Sequence, residues 1–179
     1  MKLSILFFIL FFFGQSVSAQ ELSCKTQRKL RKTLRVMLKD DQEYRLMLNA
    51  EASISQDSIK LLIEQTDHVN RLKFVGIMQE FGYPSEERIG SELSAVLTLH
   101  FTTEENFFQL HQLFNVSLKK GEMPPVEFAR WYDRCQINMH GENAFGAYGK
   151  KEFCADEIQR INENRVSIGL DALIAVECD

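Results

Sequence analysis

The chain has 179 residues, of which 21 are Lys or Arg and 25 are Asp or Glu, so its formal net charge is −4 at pH 7. This negative balance makes it a poor general nucleic-acid binder, because such proteins gather positive charge against phosphates. After residue 19 no apolar run reaches the roughly 20 residues that a membrane-spanning helix needs.

The N-terminus is typical of a secretory signal peptide. A short basic start, Met1–Lys2, precedes the apolar run Leu3–Phe13 and the small-residue cleavage sequence Val17-Ser18-Ala19. We therefore expect residues 1–19 to be removed and residues 20–179 to form a single domain. The protein would be exported, to the periplasm or to the medium.

The rest of the chain has helical periodicity that recurs about six times, with no alternating strand pattern. The predicted helices cover residues 23–49, 57–81, 86–100, 103–120, 124–141 and 156–167. Thr102 followed by Glu105 is a capping box for the fourth helix, and Pro124-Pro125 suits the start of the fifth. We predict an all-α fold, a single domain of about six packed amphipathic helices.

Five of these helices carry a polar residue at the centre of an apolar stripe. These residues are Asp41, Asn70, His100, His111, and the pair Asn162 and Arg165. A buried polar group without a partner costs about 1–3 kcal/mol, so the least costly arrangement brings such groups together. We expect a polar cluster inside the bundle, or a polar-lined cleft between helices.

The fifth helix has charged residues on both sides of its apolar stripe. Asp133 and Arg134 are adjacent, so they point about 100° apart and do not easily pair with each other. We expect their partners on other helices, with Arg165 and His100 as the best candidates. Asp41 would pair with Arg165 or with Arg45, which lies one turn further along.

The four cysteines all follow the predicted signal peptide, and an exported protein permits disulfides. Three connectivities are possible. Cys24 with Cys178 would join the termini, whereas Cys135 with Cys154, the pairing we favour, would clamp the loop between the last two helices. Cys135 lies within an apolar stripe, so we expect an inert buried thiol rather than a nucleophile.

No metal or cofactor is expected. The four histidines show no i, i+4 pair of the kind found in helical zinc sites, and no glycine-rich phosphate loop is present. The first helix is strongly basic on one side. That side is either a solvated face, which its opposite apolar stripe favours, or a surface that docks on an anionic membrane or a polyanion.

An ordered series of short motifs spans Asp41 to Leu173. It consists of DQEYR from Asp41, Asn70, GYPS, Ile89-Gly90, His100, Gln109, Gly121-Glu122, Asp133-Arg134, Tyr148-Gly149 and NENRVSIGL with Arg165. In this series the chain resembles the bacterial family called domain of unknown function 6624. The resemblance implies a helical domain and no settled activity. His111 lies outside the series, so we expect it to be a core histidine.

The loop between the last two helices departs from the family pattern. Gly146 and Lys150-Lys151 stand where the family typically has glutamine and threonine around its tyrosine-glycine pair. Any ligand contacts that this loop makes in the family are therefore changed here, and a degenerate, inactive member is one reading.

Two functions fit these features. The first is an internal polar site for a small anionic or polar ligand, extending to hydrolase-type chemistry. In it His100 is the acid or base, Asp41 or Asp133 orients it, Arg134 and Arg165 hold an anion, Asn70 lines the site, and Tyr148 lies on the covering loop. The alternative is a non-catalytic interaction or structural protein in which the polar network only fixes helix packing.

Overall fold

The computed structural model describes residues 21–49, 54–149 and 152–175. The predicted signal peptide, residues 1–19, lies outside these residues, as do Lys150 and Lys151. The described residues form seven helices and no strand, which confirms the all-α fold class. The helices are α1 (Cys24–Asn49), α2 (Gln56–Phe81), α3 (Glu86–Ile89), α4 (Leu93–Thr98), α5 (Glu104–Lys119), α6 (Pro125–His140) and α7 (Ala155–Ser167).

The core forms where the apolar stripes of these helices meet. Helix α1 packs against α2, α3 and α4, and α5 packs against α6. Aromatic rings fill the centre in edge-to-face pairs, with ring centroids 5.9 Å apart for Phe74 and Tyr83 and 4.6 Å apart for Phe114 and Trp131. The buried Trp131 also donates its indole N–H to the carbonyl oxygen of Phe101, at 3.0 Å.

The prediction of one continuous third helix is wrong, because the segment breaks into α3 and α4 at Gly90. Gly90 has φ +67°, a left-handed conformation that ends a helix and favours glycine. Arg31 Nη1 donates to the carbonyl oxygen of Ile89 at 2.7 Å, so α1 satisfies the end of α3. His100 consequently follows the end of α4 instead of continuing a helical face.

Most helix ends agree with the prediction, but the cap of α5 is shifted by one residue. Thr103, not Thr102, accepts from the backbone N–H of Asn106, at 3.3 Å. Thr102 Oγ1 instead accepts from Asn138 on α6, at 3.0 Å. Helix α6 ends at Gly141 as expected, with φ +76°. Thr103 therefore caps α5, and Thr102 attaches the start of α5 to α6.

Both disulfide pairings that we considered are wrong. Cys24 and Cys135 are free thiols. Cys154 is disulfide-bonded. Cys135 is fully buried in α6, and burial raises the pKa of its thiol to about 12. A thiol with such a pKa is almost entirely protonated at neutral pH, which fits an inert core residue.

Within the described ranges, none of the helices has the length and apolar character that crossing a bilayer requires.

Candidate functional site

Asp41 and His100 lie side by side between α1 and the end of α4. Asp41 is 2% exposed, and His100 Nδ1 lies 2.8 Å from its carboxylate. The His100 side chain is 14% exposed, so one edge of the imidazole reaches the surface. Among the described residues Nε2 of His100 has no hydrogen-bond partner. This is the arrangement of a carboxylate that orients a histidine whose other nitrogen is available.

The ionisation of Asp41 fixes the tautomer of His100. Burial by itself raises the pKa of Asp41, but the hydrogen bond and charge of His100 and the charge of Arg45 outweigh it and lower the pKa to about 2. An ionised carboxylate only accepts hydrogen bonds, so Nδ1 of His100 must carry the proton that faces it. In neutral His100 the lone pair is therefore on Nε2, the nitrogen that forms no hydrogen bond with the described part of the chain.

Arg45 extends this pair to α2. Its Nε donates to Asp41 at 3.0 Å, and its Nη2 donates to both carboxylate oxygens of Asp67 at 2.7 Å. Of the two partners considered for Asp41, Arg45 is correct and Arg165 is wrong. Burial raises the pKa of Asp67, Arg45 opposes this, and the neighbouring Asp41 adds to it, giving about 6. We call Asp41, Arg45, Asp67 and His100 the Asp41 cluster.

Sequence reasoning missed Asp67, although the pattern contained a signal for it. Asp67 lies on the same stripe of α2 as Ile63, Asn70 and Phe74, at spacings of i, i+4, i+7 and i+11. Asn70 marks this stripe as polar near its middle, and Asp67 is one turn before it. A search for all charged residues on the stripe, not only its central one, would have found Asp67.

Asn70 stabilises the pairing of α1 with α2 next to the Asp41 cluster. It is 1% exposed, and its Nδ2 donates to the carbonyl oxygen of Met37 at 2.9 Å. Met37 is one turn before Asp41, and Asn70 is one turn after Asp67, so this bond fixes the register of the two helices. Asn70 also lines a cleft of about 300 Å³ between α1 and α2, whose lining includes neither Asp41 nor His100.

A second polar group, also missed from the sequence, joins α2 to α5. Arg71 is 3% exposed and donates through Nη1 to Gln109. Its Nη2 lies 2.9 Å from His68 Nδ1 and 3.4 Å from Glu105. His68 and Glu105 are exposed, so this group is at the rim of the bundle. Arg71 follows Asn70 directly, and the periodicity of α2 did not distinguish it from a surface residue.

Asp133, which we predicted as a catalytic carboxylate, has a different role. It is fully buried, and it accepts from the backbone N–H groups of Ala144 and Phe145 at 2.8 Å and of Ala147 at 2.6 Å. With its amide oriented to suit its neighbours, Asn143 donates to Asp133 and to the carbonyl oxygen of Tyr148. Asp133 therefore holds the loop 143–148, and the prediction that it pairs with another helix is wrong.

Arg165 holds the same loop from α7. Its Nη1 donates to the carbonyl oxygen of Phe145 at 2.9 Å, and its Nε donates to that of Asp171. Asn164 Nδ2 donates to the carbonyl oxygen of Ala144 at 2.9 Å. The loop is thus held on its N–H side by Asp133 and on its carbonyl side by Arg165. The single polar cluster that we predicted is in fact divided between α1–α2 and this loop.

Asn162, another residue predicted for the cluster, binds the C-terminal tail. Its Nδ2 donates to the carbonyl oxygen of Leu173 at 3.0 Å, and its Oδ1 accepts from the N–H of Leu173 at 2.7 Å. This reciprocal pair attaches the segment after α7 to α7 itself, so Asn162 satisfies backbone groups and does not belong to the Asp41 cluster.

Arg134 stacks on the loop residue Tyr148, with the guanidinium carbon 5.3 Å from the ring centroid. Its N–H groups form no hydrogen bond or ion pair within the described residues. Trp131 and Asn138, at i−3 and i+4 on the same face of α6, bind Phe101 and Thr102, which directly follow His100. Arg134 therefore lies on the face of α6 that packs against the segment beginning at His100.

His111, which we predicted to be a core histidine, is half-buried at the edge of the core. Its ring stacks on Phe107, with centroids 5.0 Å apart, and burial lowers its pKa.

The described residues contain no group of three or more His, Cys, Asp or Glu side chains arranged to hold a metal ion.

Comparison of the chain with models of protein families, with curated proteins and with solved structures finds no match.

Proposed function

We propose that this chain is an exported helical protein that binds a small anionic or polar ligand at the exposed edge of His100. His100 would act there as an acid or base in hydrolase-type chemistry. The observation that carries this proposal is the contact of His100 Nδ1 with the buried carboxylate of Asp41, together with an Nε2 that no described residue hydrogen-bonds. Export rests on the N-terminal sequence, and the resemblance to domain of unknown function 6624 includes both residues of this pair.

The roles of the Asp41 cluster follow from its geometry. Asp41 orients the imidazole and stabilises the imidazolium that forms when Nε2 takes a proton, because a carboxylate with a lowered pKa stays ionised. Arg45 and Asp67 hold Asp41 in place from α1 and α2. Arg45 contacts Asp41 and Asp67 contacts Arg45, so both act on His100 through Asp41 and are positioning residues.

Arg134 is the anion-binding residue of this proposal. A guanidinium presents planar N–H donors that match carboxylate and phosphate oxygens, and those of Arg134 are not used within the described residues. Its position on α6 against the segment after His100 and its stacking on Tyr148 support this role. Arg165 and Asn70 are bound to backbone groups, so we no longer include them among ligand contacts.

The alternative, a non-catalytic protein with structural polar networks, is favoured by a different observation. Four predicted site residues form most of their hydrogen bonds with backbone groups of the loop, the tail or α1. They are Asp133, Asn70, Asn162 and Arg165. Hydrogen bonds of this kind fix packing and use groups that a ligand would otherwise contact. This reading differs from the first only in what it predicts for His100 and Arg134.

The test combines thermal melting with an activity screen. Protein is incubated with phosphate, sulfate, short mono- and dicarboxylates and mononucleotides, and separately with the chromogenic substrates p-nitrophenyl acetate and p-nitrophenyl phosphate. The variants are His100→Gln, Arg134→Gln and, as the matched control, His140→Gln. His140 is an exposed histidine at the end of α6 with no hydrogen-bond partner within the described residues.

Under the proposal, at least one anion raises the melting temperature of the wild type, and Arg134→Gln and His100→Gln lose that shift. Turnover of a chromogenic substrate falls in His100→Gln and is unchanged in His140→Gln. If no anion stabilises the wild type and His100→Gln simply melts at a lower temperature, the structural alternative is correct instead.

A further inference from the structure

The outward face of α1 carries an unbroken row of positive charge. Its members are Lys25, Arg28, Lys29, Lys32, Arg35 and Lys39, all exposed. Five of them, at positions 25, 28, 32, 35 and 39, are spaced by three, four, three and four residues, and Lys29 lies beside Arg28 on the same side. The row therefore follows one side of the helix for about 21 Å. The residues that α1 buries, Leu30, Leu34, Met37 and Asp41, lie on the opposite side. We call this row the α1 cationic face.

Little in the rest of the fold neutralises this face. Within the described residues none of the six cations forms an ion pair, and the one cation–π contact among them is that of Lys29 Nζ, 5.9 Å from the centroid of the Phe81 ring. The contrast with Arg31 is informative. Arg31 is half-buried, and it donates to the carbonyl oxygen of Ile89. Arg31 therefore has a structural role inside the fold, whereas the α1 cationic face makes few intramolecular contacts.

The arrangement is unfavourable for α1 itself. Cations three or four residues apart on a helix repel each other, and the first turn of α1 contains Lys25 and no acidic residue, against the helix dipole. The chain as a whole is acidic, with net charge −4, so this concentration of positive charge on one helix is not a property of its composition. An external anionic surface would remove both penalties.

We propose that the α1 cationic face docks the protein on an anionic lipid surface. A plane contacts one side of a helix along its whole length, which matches a straight row of cations. Within the row the same side exposes one apolar residue, Val36 at 49%, which suits the boundary between headgroups and acyl chains, and beyond the row it exposes the acidic Glu43. It has no exposed aromatic residue to stack on bases, which favours lipid over single-stranded nucleic acid.

The test is sedimentation with lipid vesicles, using protein purified after export so that its N-terminus is the natural one. One vesicle preparation is phosphatidylcholine alone, and the other replaces about a third of it with phosphatidylglycerol. The disrupted variant combines Arg28→Gln, Lys32→Gln and Arg35→Gln. The matched control combines Lys60→Gln, Lys73→Gln and Lys119→Gln, which removes the same charge from α2 and α5. Lys29 is left unchanged because of its contact with Phe81.

We expect the wild type to sediment with the anionic vesicles and to stay in the supernatant with the neutral ones. It should dissociate from the anionic vesicles as the salt concentration is raised. Loss of three cations at the surface lowers the partition coefficient by on the order of 100-fold. The control should bind like the wild type, and both variants should keep the melting temperature of the wild type. Absence of wild-type binding to anionic vesicles would overturn the proposal.

Two further results would also overturn it. Equal weakening by both variants would mean that total charge and not the α1 cationic face governs binding. Binding to heparin or to single-stranded DNA, with no binding to anionic vesicles, would mean that the face recognises a polyanion. Both outcomes leave the proposal for His100 unaffected, because none of the substituted residues belongs to the Asp41 cluster.

Discussion

His100 Nδ1 lies 2.8 Å from the carboxylate of Asp41, although 59 residues separate them along the chain. The contact joins the middle of α1 to the turn after α4, and Arg45 connects it to Asp67 on α2. Three segments that are distant in sequence therefore depend on one buried carboxylate. The role of the Asp41 cluster can therefore be tested through the stability of the protein and the protonation of its side chains, without a known ligand.

Substitution of Asp41→Asn should lower the free energy of unfolding by about 2–4 kcal/mol at pH 7, because it removes the buried charge that faces His100 and one of the two carboxylates that Arg45 contacts. It should also allow neutral His100 to carry its proton on Nε2 as well as on Nδ1, because the ionised carboxylate that holds the proton on Nδ1 is gone. Urea denaturation measures the first effect, and side-chain ¹⁵N spectra of histidine measure the second.

Asp40→Asn is the matched control, since Asp40 is adjacent and forms no hydrogen bond within the described residues. It should change the free energy of unfolding by no more than about 0.5 kcal/mol. If the two variants unfold alike, Asp41 does not organise the contact between α1, α2 and the turn at His100.

Asp67 should make stability depend on pH in an unusual direction. Its pKa is about 6 in the folded protein, against 3.8 for an ordinary aspartate, so the stability it contributes is present below about pH 4 and is lost as pH rises through 6. Relative to wild type, Asp67→Asn should therefore gain about 1–3 kcal/mol of stability between pH 4 and pH 7.

Urea denaturation at several pH values measures this difference, with Asp57→Asn, an exposed aspartate in a pair with Lys60, as control. The lowered pKa of Asp41 changes stability only below about pH 4, so it does not affect the comparison between pH 4 and pH 7. A difference between wild type and Asp67→Asn that is constant from pH 4 to pH 7 would contradict the raised pKa of Asp67.

Asp133→Asn should release the loop 143–148. An amide N–H₂ in place of one carboxylate oxygen faces backbone N–H donors, so at least one of the three bonds is lost, at a cost of about 2–4 kcal/mol. Hydrogen exchange should increase at the amides of Ala144, Phe145 and Ala147. Glu142→Gln, an exposed change in the same loop, should leave their exchange as in wild type. Unchanged exchange in Asp133→Asn would show that other contacts hold the loop.

The two free thiols should react very differently in the native protein. Cys24 is exposed, whereas Cys135 is buried with a pKa of about 12. Iodoacetamide should therefore modify Cys24 alone in native protein and both thiols after unfolding, as read by intact mass and peptide mapping. Cys24→Ser should leave native protein unmodified. Modification of Cys135 at a rate near that of Cys24 would mean that α6 opens readily.

Local sequence determined the helices and most of their ends. The periodicity of apolar residues placed α1, α2, α5, α6 and α7 within about two residues of their observed bounds, because a helical face is a property of spacing. Gly141 and Pro125 end and begin α6 as predicted, since glycine and proline act on their own backbone. Periodicity also identified Asp41, Asn70 and His100 as polar residues that needed partners.

Tertiary structure decided which partner each polar residue has. Asp133 could have met any donor, and it binds loop amides only because α6 and the loop are brought together by the packing around Phe145. Gly90 breaks the third helix where Arg31 of α1 reaches the carbonyl oxygen of Ile89, a contact across 58 residues. Spacing along one helix specifies a face, but a hydrogen bond between segments depends on the position of both, which the assembled core alone sets.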